Sequence, residues 1–180
     1  MKKLNQFITE KFRLSKDNLT YQHQYNYHPK TARELEELVK KLIKERGNNA
    51  DLNDIDTSEI TSMVGMFFAS DFSGDISLWD VSKVKDMTDM FRLSSFNGDI
   101  SYWDVSNVED MHRMFKDSKF NRDISKWDVN KVEDMLRMFQ NSPFNGDISK
   151  WNVSNVEDMQ DMFRQCPLEK NPPKWYKKIS

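Results

Sequence analysis

Stacked 24-residue units of short parallel strands and short helices, an α/β solenoid behind an N-terminal helical cap, are the fold that this sequence predicts. Three observations carry the prediction. Trp79, Trp103, Trp127, Trp151 and Trp175 are the only five tryptophans, and each lies 24 residues from the next. Blocks starting at Phe72, Phe96, Phe120 and Phe144 align on them, with the shared form F-N-G-D-I-S-x-W-D-V-S-N-V-E-D-M-x-x-M-F. The period falls in the range of repeat arrays, whose units cannot bury an apolar face alone and gain a core only by stacking.

The elements follow in chain order. Residues 1–14 form an amphipathic N-terminal segment with Leu4, Phe7, Ile8 and Phe12 on one side, a candidate docking surface. Residues 15–50 read as a strand and helix cap. Tyr21, His23, Tyr25 and Tyr27 alternate at the strand period. Thr31-Ala32-Arg33-Glu34 is a capping box, opening a helix over 31–46 with Leu35, Leu38, Val39, Leu42 and Ile43 on one face and Gly47 after it. Residues 51–171 hold five repeats, the first of them worn: Leu52, Ile55 and Thr57 stand where later units have Ile, Trp and Val. Residues 172–180 are a C-terminal cap in which Pro172 and Pro173 replace Ile148 and Ser149. Proline cannot donate to a ladder and blunts the edge.

Within a unit, Ile76-x-x-Trp79-x-Val81 predicts a short strand with Trp and Val on one side. Ser82, Ser106, Asn130 and Ser154 then stand as helix N-caps, three of them followed three residues later by Glu109, Glu133 and Glu157. Val84, Met87, Met90 and Phe91 give that helix its apolar face. The Asn97-Gly98 pair predicts a turn with positive φ, although Arg122 takes the glycine's place in one unit. Ten of the 11 methionines lie in M-x-x-M-F segments and read as core filler.

Composition removes several functions. Residues 1–50 carry 11 Lys/Arg against 6 Asp/Glu, and the remainder 16 against 23, so the array is acidic and offers no footprint for nucleic acid. Nowhere is there the run of ~18 apolar residues that a membrane span needs, and the opening MKKLNQFITEKF is too polar for a secretory signal. A cytoplasmic or virion-associated location is the expectation. Cys166 is the only cysteine, which excludes an intramolecular disulfide and a Cys-rich zinc site. His23, His28 and His112 have no ligand-spaced partner, and no nucleotide, hydrolase or metalloprotease motif occurs. The chain is therefore expected to be no enzyme, with no catalytic residues, no metal, no cofactor and no small-molecule substrate. Three acidic columns, Asp75/Asp99/Asp123/Asp147, Asp56/Asp80/Asp104/Asp128 and Asp86/Asp110/Asp134/Asp158, read as hydrogen-bonding carboxylates rather than calcium ligands.

The I-x-x-W-x-V spacing resembles the strand segment of leucine-rich repeats, and over residues 51–175 the blocks closely resemble the BspA-like leucine-rich-repeat family, found in bacterial surface proteins and mobile elements. That resemblance implies a right-handed leucine-rich-repeat-like solenoid and a role in protein binding or adhesion without catalytic residues. LNQFITEKF is similar to short leading segments of some gut-bacterial phage proteins.

Positions free of the repeat's packing demands are the ones able to specialise. One variable column on the expected strand face reads Asp54, Leu78, Tyr102, Lys126, Lys150, with the composition of an interface. A second strip, His112, Arg113, Leu136, Arg137, Gln160 and Asp161, lies on the expected helices. The expected function is recognition of a protein partner through the first column. The alternative is a structural or packaged component of a phage or mobile element that docks through its N-terminal segment.

Overall fold

The computed structural model describes residues 12–14 and 21–176. Strands β1 (Phe12–Leu14) and β2 (Tyr21–His23) pair antiparallel. Helix α1 (Ala32–Arg46) follows, then the repeats, and a short 3-10 turn at Pro167–Glu169. Leu4, Phe7 and Ile8 lie outside the described residues, and of Phe12 only the backbone position in β1 is described.

The helix starts and stops for local reasons. Thr31 Oγ1 accepts the Glu34 N–H at 3.2 Å, and Glu34 reaches back to the Lys30 N–H at 2.7 Å. Gly47, at φ 87°, ends the helix with its N–H on the Ile43 carbonyl. Leu35, Val39 and Leu42 are buried in the same core as the repeats, and Tyr27 bridges to Ile55 in parallel, so this segment covers the first coil.

The repeats are not strands and helices, and the expected right-handed α/β solenoid of the leucine-rich-repeat kind is overturned. Each 24-residue coil is instead a chain of four tight turns. In the third coil they are Ile100-x-x-Trp103, Val105-x-x-Val108, Met111-x-x-Met114 and Phe115-x-x-Ser118, each closed by an N–H from the fourth residue to the first carbonyl, at 3.2, 2.9, 3.1 and 3.3 Å. In this coil the first and fourth residue of each turn point inward and the middle two point out. All eight corner residues of this coil are at most 5% exposed. A spacing of three, read as one helix face, is the spacing of turn corners.

The two turns of the M-x-x-M-F-x-x-S segment need a left-handed residue at their third position, as type II turns do. They are Gly65 and Ala69, Asp89 and Leu93, Arg113 and Asp117, Arg137 and Asn141, Asp161 and Gln165, with φ between 51° and 60°. The expected capping serines and asparagine start no helix: the N–H of Ser82, Ser106 and Asn130 goes to the carboxylate of Asp80, Asp104 and Asp128. Nor does the Asn-Gly turn use positive φ. Gly74, Gly98 and Gly146 lie in close approaches instead: a Cβ on Gly98 would sit 2.7 Å from the Phe96 ring, and one on Gly74 would sit 2.0 Å from the Ala50 carbonyl oxygen, whereas Arg122 fills the equivalent place in the fourth coil.

Coils are joined on two sides. Along the methionine segment alternate N–H groups reach the next coil: Met111, Arg113, Phe115 and Asp117 donate to the carbonyls of Asp134, Leu136, Met138 and Gln140, each at 2.9 Å. The parallel contacts there are single bridges, Ser62 to Asp86 to Asp110 to Asp134 to Asp158, and not strands. On the other side each indole N–H bonds back to the preceding coil: Trp79 to Leu52, Trp103 to Ile76, Trp127 to Ile100, Trp151 to Ile124 and Trp175 to Ile148, at 2.9 to 3.3 Å. Those carbonyls also close their own turns. Between the two seams runs a file of phenylalanines, Phe67, Phe91, Phe115, Phe139 and Phe163, stacked with ring centroids 5.5, 5.6, 5.6 and 6.0 Å apart and ring planes nearly parallel.

Candidate functional site

The I-S-x-W turn decides which side chain faces out. Its third residue is Asp54, Leu78, Tyr102, Lys126 or Lys150 in successive coils, so the structure does place the predicted column in one row, on turn tips rather than on a strand face. Leu78 is 43% and Tyr102 81% exposed, in a chain whose phenylalanine file is buried. Lys126 stands over the Tyr102 ring with Nζ 5.4 Å from its centre, a contact worth ~0.5–1 kcal/mol at an exposed site. Lys126 and Lys150 also line a shallow recess with Arg122, Asp123 and Asp147.

Asp54 belongs to a different structure. Its carboxylate takes both terminal nitrogens of Arg46, at 2.9 and 3.0 Å, and the Asn26 amide at 2.9 Å. Burial pushes its pKa up, but those hydrogen bonds and the Arg46 charge outweigh it and hold the group below the ordinary carboxylate range. Asp54 thus fastens α1 to the first coil, while His28, in the segment ahead of α1, pairs with Asp56 at 3.1 Å.

Exposed aspartates frame the row on both sides. Asp99 and its equivalents accept the N–H two residues ahead, at 2.9 to 3.0 Å, and Asp80, Asp104 and Asp128 do so at 2.9 to 3.1 Å. The Ser125 and Ser149 amides and hydroxyls hold Asp123 and Asp147 below the usual pKa, and the Ser106 hydroxyl and amide do the same for Asp104. Those three carboxylates are therefore held in the charged form while they fix their turns. The third acidic column is half-buried, and there burial raises the pKa of Asp134, helped by Asp110 and Asp158 on either side. Among the described residues no group of three or more His, Cys, Asp or Glu is placed to hold a metal ion.

The charged residues of the second variable strip, Arg113, Arg137 and Asp161, are held in ion pairs. Arg113 bonds to Asp89 at 2.9 Å, and Arg137 lies 3.5 Å from Asp161. Sequence reasoning passed over the exposed apolar residues beside it: Val64, Phe68 and Leu93 are 47 to 50% exposed, with Arg92 over the Phe68 ring at 5.4 Å. The available signal was that the Phe68/Arg92/Lys116/Gln140/Arg164 column varies as freely as the Tyr102 column.

A chain of turn-cornered coils repeated every 24 residues is a repeat protein. It belongs to the family described as Mycoplasma protein of unknown function, DUF285, whose model matches residues 33–143 and residues 70–175. No curated protein and no solved structure matches the chain. No helix among the described residues is long and apolar enough to cross a membrane.

Proposed function

We propose that this chain is a protein-recognition module without catalytic chemistry, akin to BspA-like repeat proteins in its role, and that it engages its partner through Leu78, Tyr102, Lys126 and Lys150. One observation carries the reading. Tyr102 is 81% exposed at the tip of a turn fixed by bonds within its coil and to its neighbours, where folding gives no reason for an aromatic ring. Aromatic residues on rigid supports are the usual anchors of interfaces, because little entropy is lost when they are covered. Lys126 orients the ring from one side, and Leu78 extends the apolar strip on the other.

The test uses the whole chain as bait in extracts of its native host, beside Tyr102→Ala and Lys126→Ala. Partners held by the parent chain and lost by Tyr102→Ala, at unchanged melting temperature, support the reading. Identical sets of captured proteins from all three baits would overturn it.

A further inference from the structure

Charge is distributed unevenly along the Tyr102 row. The turn that carries Leu78 is flanked by Asp75 and Asp80, and the turn that carries Tyr102 by Asp99 and Asp104, with no cation in either. In the fourth coil Arg122 and Lys126 balance Asp123 and Asp128, and in the fifth Lys150 balances Asp147 while Asn152 ends the second acidic row. The row is thus apolar toward one end and carries its cations toward the other.

These cations differ from most others of the repeats in having no carboxylate of their own. Lys83 and Lys85 reach Glu59 and Glu109 across coils, Arg113 and Arg137 reach Asp89 and Asp161, and Arg92, Lys116 and Arg164 pair within their coils. Lys131 bonds to the Asn107 amide oxygen at 2.6 Å. Among the described residues Lys119, Arg122, Lys126, Lys150 and Lys170 are in none of these contacts, and Arg122, Lys126 and Lys150 line one recess. Arg122 stands where the neighbouring coils have Gly98 and Gly146, and its Nε donates to the Asn97 carbonyl at 2.8 Å. Its terminal nitrogens have no partner among the described residues. Asp123 and Asp147 also line the recess, but each accepts the amide of its own turn, from Ser125 and Ser149 at 2.9 Å, and neither forms an ion pair with the three cations. The recess therefore keeps a positive excess within a repeat array whose net charge is negative.

We infer that the partner lies along the row as an extended segment, with an apolar side chain over Leu78 and Tyr102 and a carboxylate in the recess between Arg122, Lys126 and Lys150. Coils ~4.8 Å apart place Lys150 roughly 10 Å from Tyr102 along the array, a distance that an extended chain spans in about three residues. The partner's aspartate or glutamate therefore stands about three residues from its apolar anchor. Arg122 offers its terminal nitrogens as the paired donors that a carboxylate accepts. Lys126 and Lys150 add charge, and Lys126 joins the two halves of the row because it already stands over the Tyr102 ring. A basic segment is repelled at the cationic end and a wholly acidic one at the other, where Asp75, Asp80, Asp99 and Asp104 frame the row. This pairing of acid with cations rests on the Tyr102 row being the contact surface proposed above.

The experiment mixes the full chain with extracts of its native host, couples bound proteins to it with a carbodiimide, which joins an amine to a carboxylate only where the two touch, and identifies the linked peptides by mass spectrometry. The expected result is a link from Lys126 or Lys150 to an aspartate or glutamate of a protein that Tyr102→Ala fails to hold. A synthetic peptide of that linked segment should bind the full chain. Arg122→Gly, which restores the glycine of the neighbouring coils, should weaken that binding about tenfold with the melting temperature kept. Sodium chloride should narrow the difference. A partner that depends on Tyr102 but gives no link from Lys126 or Lys150, or whose peptide binds Arg122→Gly as tightly as the parent chain, overturns the acidic segment and leaves the row in place. Capture that Tyr102→Ala leaves unchanged, or no capture at all, removes the row and the acidic segment with it.

Discussion

Replacing Trp127 by phenylalanine tests the seam that the repeat's most regular residue builds. The indole is 4% exposed, and its N–H meets the Ile100 carbonyl at 3.1 Å. That carbonyl keeps a second donor, the Trp103 backbone N–H at 3.2 Å, which closes the turn of its own coil. The substitution therefore strands no acceptor, and the bond itself accounts for ~0.5–1.5 kcal/mol. Shrinking the buried ring beside Phe115 opens a small cavity and adds ~1–2 kcal/mol. The expected loss is ~2–3 kcal/mol, or ~4–12 °C in melting temperature for a chain of this size. Trp175→Phe is an internal comparison: that indole makes the same bond at 2.9 Å but is only partly buried, so the cavity contribution should shrink. Urea titration of the three proteins by circular dichroism gives the numbers. If Trp127→Phe unfolds within ~0.5 kcal/mol of the parent, the range of an inert surface change, the indole seam does not hold the coils together.

Other expectations are briefer. Gly65→Ala should cost ~1–2 kcal/mol by urea titration, because φ is 60° there while the new methyl meets nothing closer than 3.8 Å. Gly74→Ala should cost considerably more, through its 2.0 Å approach to the Ala50 carbonyl oxygen rather than through φ, and a measured loss below that of Gly65→Ala would contradict this. Asp134→Asn should stabilise the fold at neutral pH, because the folded state raises that carboxyl's pKa and its ionised form opposes folding. The parent's disadvantage should shrink as pH falls through the raised value toward the ordinary aspartate value; thermal melts from pH 7 to 4 that show a constant difference would refute it. Tyr102→Ala should leave stability within ~0.5 kcal/mol, which a thermal melt checks.

Much of this architecture was written in the spacing of residues, and the part that was not has a definite cause. The 24-residue period, the buried Ile, Trp, Val, Met and Phe positions, and the bounds of α1 were all legible, because burial and capping act on side-chain identity. Backbone conformation in the repeats was not. Corners of successive turns recur every three residues, as Val84, Met87 and Met90 do, and an amphipathic helix makes nearly the same pattern. Glycine would have signalled the left-handed turn positions, but only Gly65 among the ten is glycine. The variable column was legible as outward-facing, since nothing else explains Leu78, Tyr102 and two lysines at one repeat position. Its first member was not: Asp54 is claimed by Arg46, eight residues upstream on α1, a long-range pairing that periodicity does not encode.

The backward direction of the indole bonds makes the array asymmetric toward loss and gain of material. Removing whole coils from the C-terminal side takes each tryptophan away together with its bond and strands no indole N–H, although the coil left at the end loses the carbonyls that accepted its methionine-segment N–H groups. Excising the coil that contains Leu52 and Ile55 would instead strand the Trp79 ring nitrogen in the core, along with the aspartate that anchors the helix. Duplication and deletion of coils should therefore be tolerated distally and resisted proximally, so that length can vary among such proteins while their first coil stays fixed.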